Sequence, residues 1–206
     1  MRTQHLLNIL TIVAIPFFIS GLIISLFIAS FFGSYNITTH PMSDLGSFAR
    51  SPYPFLMNIT LIASSIILIF YFFNLFKIVS KAAKKKNIYS YSCYLGFILI
   101  GIMIIALFIT GVINVDISRD VHDICTIFVF VPLIFGELII GLIIIALHIF
   151  EKYISVLMSF GHLTVSFLYF FVHTPLLEWV FFLILISWGI PLSIKIIQIQ
   201  TKFDFQ

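Results

Sequence analysis

Six long apolar runs, at 7–32, 55–79, 91–115, 124–150, 153–172 and 179–199, constrain the fold of this chain more than any other feature. Crossing ~30 Å of hydrocarbon takes roughly 20 helical residues, and every run is at least that long. Backbone N–H and C=O groups cannot stay unpaired in lipid, so each run is expected to be helical. The runs lack the period-2 alternation of membrane barrel strands and are far too long to be such strands. A β-branched stretch such as 98–105 would be ambiguous in water, but a bilayer decides it in favour of helix. The longer runs exceed the hydrocarbon thickness at ~1.5 Å per residue and should tilt or protrude. The first run is too long for a secretory h-region and no small-residue cleavage pattern accompanies it, so it reads as an uncleaved anchor. The expected fold class is all-α: a polytopic integral membrane protein, one antiparallel bundle of six helices over 1–206.

Orientation follows from the basic residues. Arg2, Lys77, Lys81, Lys84, Lys85, Lys86, Lys152, Lys195 and Lys202 fall on one side of a six-span arrangement, and only Arg50 and Arg119 on the other. Nine against two puts both termini in the cytoplasm of a multi-pass cell-membrane protein. The net charge of +3 therefore serves topology, and no nucleic-acid partner is expected. The run from Lys81 to Lys86 is also suited to anionic lipid. Cys93 and Cys125 lie within spans without metal-type spacing and read as small apolar fillers.

In a chain that is 61% hydrophobic and 9% charged, the placement of the few polar groups carries the functional information. On the six-span reading, three polar segments face the non-cytoplasmic side, at 33–54, 116–123 and 173–178. They gather His40, Asp44, Asp116, Asp120, His122, Asp123, His173 and Glu178, with Arg50 and Arg119 nearby. Such a cluster can bind a divalent cation through mixed nitrogen and oxygen ligands. It can supply an acid and a base to a lipid ester or phosphate at headgroup depth, or pin helix ends together. The structural alternatives are specific. Asp120 or Asp123 can cap the fourth span, Asp116 and Asp120 can pair locally with Arg119, and Asp44-Leu45-Gly46 reads as a turn with its glycine at a special backbone angle. No H-E-x-x-H and no histidine pair at i, i+4 is present. A cation is not required, and one held here would use His40, Asp44, His122 and His173. No G-x-S-x-G elbow surrounds Ser43.

Glu137 differs because it lies inside the fourth span, between Gly136 and Gly141 and five residues after Pro132. Carboxyl groups at hydrocarbon depth are costly and default to functional hypotheses. Fifteen positions at ~100° each leave His122 and Glu137 on the same helical face, so the two can border one polar path. Partners open to a structural Glu137 are Asn58, Ser64, Ser65, Thr110, His162 and Ser166. His162, beside Gly161, reads as a helix–helix hydrogen bonder. His148 sits where it can snorkel, and Trp179 and Tyr153 suit interfacial anchoring.

An outer loop ending Met42-Ser43-Asp44-Leu45-Gly46 precedes a second span that begins near Asn58. Gly111-Val112 then precedes a polar loop leading to His122-Asp123, and Glu178-Trp179 opens the last span. Over nearly the whole chain this pattern resembles the six-helix prokaryotic family known as domain of unknown function 998. The Ser-Asp-x-Gly loop and the histidine-opened helix are more distantly similar to the Frag/DRAM-like membrane proteins. Members of that group are linked to lipid-anchor remodelling and autophagy control. The resemblance implies six helices and marks Asp44, Gly46, His122 and Glu178; it brings no reaction with it.

The sequence thus leads to three functional expectations. The first is a polar pocket at the outer lipid boundary that binds or modifies lipids, with His122 as acid–base. Asp44 and Asp123 would orient it or hold a cation, Glu178 would close the pocket, and His40, Arg50, Arg119, Asp120, His173 and Glu137 would contribute to binding. The second is a small-molecule or ion conduit through Glu137. The third is a non-enzymatic subunit whose loops dock a membrane-protein partner or a second copy of the chain.

Overall fold

The computed structural model describes residues 2–84, 90–172 and 174–204. In chain order they form α1 (Arg2–Phe32), a 3-10 turn (Met42–Gly46), α2 (Phe55–Lys84), α3 (Ser90–Val112), α4 (Arg119–Leu147), α5 (Lys152–Val156), a π turn (Leu157–Gly161), α6 (His162–Val172) and α7 (Leu176–Asp204). No strand occurs among the described residues. Five helices there, α1, α2, α3, α4 and α7, are long and apolar enough to cross a membrane. These are the helices of a membrane-embedded protein. Lys85 and Lys86 lie outside the described residues.

The run at 153–172 is where the structure departs from a plain helix. The π turn separates α5 from α6 at the point where the α4 backbone presses closest. A Cβ placed on Gly141 would stand 3.0 Å from the Ser159 amide nitrogen and 3.1 Å from the Ser155 carbonyl oxygen. Glycine is needed at Gly141 because backbone already occupies the space a side chain would fill. The fourth helix also ends before 150. His148 adopts φ 51, in the left-handed region, and its N–H bonds back to Ile145 O at 3.2 Å while Ile149 N–H reaches Ile144 O at 3.3 Å. This left-handed cap closes α4 at Leu147, so His148 is a helix terminator.

Helices α1 to α4 pack in sequential order, α1 on α2, α2 on α3 and α3 on α4, and α7 returns against α1 and the α5–α6 unit. The outward surface is apolar: Ile98 and Ile105 are 60% and 63% exposed, and Ile127, Phe167 and Leu183 are similarly bare. In water such a cover would drive aggregation, whereas in hydrocarbon it costs nothing. Helices in lipid gain no hydrophobic drive toward one another, so close contacts and hydrogen bonds must hold them. Gly96 and Gly136 supply the first between α3 and α4, where a Cβ on Gly136 would meet Gly96 O at 3.1 Å. Asn74 supplies the second, donating to Thr11 Oγ1 at 2.6 Å across α1 and α2. Cys93 and Cys125 are free thiols, the first buried.

The antiparallel order brings the 3-10 turn, the α3–α4 connection and the start of α7 to one end of the bundle. At the opposite end Lys195 of α7 pairs with Glu151, ahead of α5, at 2.5 Å.

Candidate functional site at the loop-bearing end

The 3-10 turn is held from both sides by carboxylates. Pro41 precedes it with φ −64 and ψ 157, an angle its ring fixes. Glu178, in the first turn of α7, accepts the Met42 N–H at 2.7 Å. Asp116, between α3 and α4, accepts the Ser47 hydroxyl at 2.6 Å and the Phe48 N–H at 2.8 Å. Hydrogen bonds to ionised groups are about twice as strong as neutral ones. These three therefore lock the first loop to two distant parts of the chain, and the polar segments converge as far as they are described. His173 lies outside the described residues.

Several sequence expectations change at this point. No glycine has a positive φ among the described residues, so Gly46 is not there for a special backbone angle. It is there for space, since a Cβ would stand 2.5 Å from Asn58 Oδ1, and Asn58 Nδ2 donates to Gly46 O at 3.4 Å. The residue ahead of α4 is Ser118, without a side-chain capping bond. Asp116 reaches the first loop, while Arg119, Asp120 and Asp123 are exposed. Asp44 makes a loose pair with Arg50 at 4.0 Å. His40 serves its own loop: Nδ1 accepts the Asn36 N–H at 3.0 Å and its carbonyl accepts the Tyr35 hydroxyl at 3.2 Å. Burial pushes the Tyr35 hydroxyl well above the ordinary tyrosine pKa, with the charges of Glu178 and Asp44 adding to the rise.

His122 occupies a different environment. It is 3% exposed, and its Nδ1 lies 3.1 Å from Ile113 O. A carbonyl oxygen only accepts, so Nδ1 donates to it, and in the neutral tautomer that fits this bond Nε2 presents a lone pair. That Nε2 is buried and has no hydrogen-bond partner among the described residues. Buried polar atoms are nearly always satisfied, so an orphan calls for a reason. His122 borders a partly enclosed cavity of about 130 Å³. Ser43, Asn58, Thr110, Thr126 and Glu178 share its polar end. Below them the wall is apolar, with Phe18 from α1, Leu68 and Phe72 from α2, Leu107 from α3, Leu133 from α4 and Phe181 from α7.

Glu137 is one turn beyond Leu133 and fully buried, and it is not among the residues that line the cavity. Val129, Phe130 and Leu133 stand between it and His122 on the cavity side, so the expected continuous polar path from His122 is interrupted. Of the partners open to it, Glu137 takes His162 Nδ1. His162 Nε2 donates to Phe181 O at 2.9 Å, and the Phe181 ring stacks on the imidazole at 3.9 Å between centroids. One face of Phe181 thus covers the pair and the residue also forms the cavity wall.

No group of three or more His, Cys, Asp or Glu side chains that could hold a metal ion occurs among the described residues. His40, Asp44 and His122 are engaged separately, as described above. The sequence reading named Asn58 only as a partner open to Glu137, whereas it lines the cavity and bonds Gly46 O, and it missed the aromatic wall. The signal was present in α4, where His122, Thr126, Val129, Phe130 and Leu133 recur at helical spacing and all face the cavity. Comparison with known proteins gives no matching family model, no matching curated protein and no matching solved structure.

Proposed function

We propose that this protein is a six-crossing cell-membrane protein that binds a single hydrocarbon chain of an amphiphile. The tail would enter the apolar cavity, and the head would meet His122, Ser43, Asn58 and Glu178 at the loop-bearing end. The sixth crossing in this reading is α5, the π turn and α6 together, and the positive-inside distribution puts the loop-bearing end on the non-cytoplasmic side. The observation that carries the reading is a cavity with an apolar wall whose polar lining, His122 with Ser43, Asn58 and Glu178, gathers at one end; His122 also has a buried Nε2 without a partner among the described residues. Its size limits what fits: at about 130 Å³ it is close to the ~150 Å³ apolar cavity known to accept benzene, room for about six carbons of one chain, with the rest of a longer chain lying beyond it. Imidazoles with one nitrogen committed to a backbone carbonyl are also oriented to act as a base through the other. His122 is accordingly the residue proposed for any lipid chemistry here. Kinship with the six-helix family rests on the Met42–Gly46 turn, His122 and Glu178, which assemble at the same end. The conduit reading gains less, because Glu137 is held by His162 outside the cavity.

The test is cavity filling. An alkyl probe bearing a diazirine midway along its chain is expected to crosslink to cavity residues such as Leu107 or Phe181. Leu133→Trp should abolish those crosslinks while the protein still elutes as a folded species. Crosslinks confined to the outer apolar surface, or unchanged in Leu133→Trp, would sink the reading.

A further inference from the structure

Apart from the Ser43 hydroxyl, the polar end of the cavity is built to accept hydrogen bonds and positive charge: the Thr110 and Thr126 hydroxyls already donate to Ala106 O and His122 O. His122 Nε2 is a buried acceptor without a partner among the described residues. The only charged side chain that lines the cavity among the described residues is the carboxylate-bearing Glu178, and no Lys or Arg joins it. Arg50, the nearest basic residue in the first loop, is paired with Asp44, and neither borders the cavity. Asn58 directs its amide nitrogen to Gly46 O, which leaves its oxygen as the atom with spare capacity. A carboxylate or phosphate head placed here would bring acceptor against acceptor, with Glu178 adding like-charge repulsion. A hydroxyl or ammonium head brings the donor that the orphan nitrogen lacks.

Resting on the proposed occupancy of this cavity, we propose that its ligand is a single-chain amphiphile whose head donates hydrogen bonds and bears no negative charge, a long-chain alcohol or amine. Fatty acids and phosphorylated lipids are excluded by chemistry at the mouth. Discrimination of this kind is strong because a site built to bond a hydroxyl leaves buried polar groups unpaired when the analogue lacks it.

The experiment is competition among chain-matched ligands on the whole protein in detergent. The diazirine-bearing alkyl probe is displaced by hexadecanol, hexadecylamine, hexadecanoate, hexadecyl phosphate or hexadecane. The alcohol and the amine should displace it at concentrations at least about tenfold lower than the other three, a conservative figure for one satisfied buried acceptor. Glu178→Gln retains a side-chain oxygen for the Met42 N–H and removes the charge, so it should narrow the gap between amine and carboxylate. His122→Phe should erase the advantage of the alcohol over hexadecane. If that variant does not fold, the Glu178→Gln result still decides. Tightest displacement by hexadecanoate or hexadecyl phosphate, or equal displacement by all five, overturns the head-group inference and leaves chain binding standing. Displacement by none of the five, together with no probe in the cavity, overturns both.

Discussion

Two buried histidines in this bundle are wired alike on one side and differently on the other. Each gives one ring nitrogen to a backbone carbonyl, His122 through Nδ1 to Ile113 O and His162 through Nε2 to Phe181 O. The second nitrogen of His162 meets Glu137, beneath the stacked ring of Phe181. The second nitrogen of His122 meets nothing among the described residues, and the residue lines the cavity. The Glu137–His162 pair rigidifies helix packing at hydrocarbon depth, and its own spare atom, Glu137 Oε1, is enclosed away from the cavity. His122 lines the cavity, and that position distinguishes a site from a strut.

The Glu137–His162 pair is where a single substitution should do the most damage. Glu137→Ala strands a buried histidine and should cost about 3–5 kcal/mol, the usual result of removing one member of a buried pair. Replacing both together, Glu137→Leu with His162→Phe, should recover most of that loss. Unfolding of the detergent-solubilised protein measures both, and a double variant as damaged as the single one would show that the pair does more than hold helices. At the loop-bearing end the effect is smaller. Asp116→Asn keeps one acceptor for the Ser47 hydroxyl or the Phe48 N–H but loses the charge, and should cost about 1–3 kcal/mol. Its second expected mark is faster amide exchange at Phe48; unchanged exchange would mean that the first loop is held by other contacts.

The smallest effect belongs to the opposite end, where Lys195 bonds Glu151 and holds its carboxyl below the usual carboxylate pKa. A depressed folded pKa adds stability above the ordinary value of ~4.3, and that contribution fades as pH falls through the lower folded value. The pair is substantially exposed, so solvent screening leaves it worth little. Lys195→Met should lower stability slightly at neutral pH, where the pair contributes, and leave it unchanged in strong acid, where that contribution is already lost. A deficit of the same size in strong acid would indicate a role beyond the ion pair.

How much of this was legible in the chain varies with the range of the interaction involved. Helices α2, α3 and α4 could be read from unbroken apolar runs because lipid leaves the backbone no other way to satisfy its own hydrogen bonds. The π turn at Leu157–Gly161 could not, since nothing in its five residues reports that Gly141 presses against it from another helix. Gly46 was singled out correctly as a constrained residue and for the wrong cause. A positive φ is a local property, whereas the oxygen of Asn58 is twelve residues away. Glu137 was recognised as costly, and His162 stood among its candidate partners. Choosing His162 required knowing which helix α4 faces.

The sequence alone determined that this chain enters a membrane as helices and that its few polar groups collect in particular connections. Hydropathy and charge act residue by residue and survive without a fold. Tertiary structure decided which of those polar groups are spent on architecture and which is left open. Asp116 and Glu178 fasten the first loop through bonds spanning tens of residues or more, and among the described candidates His122 is the one that combines deep burial and an unpartnered atom with a place in the cavity lining. That distinction depends on what each side chain fails to touch, and only packing in three dimensions fixes it.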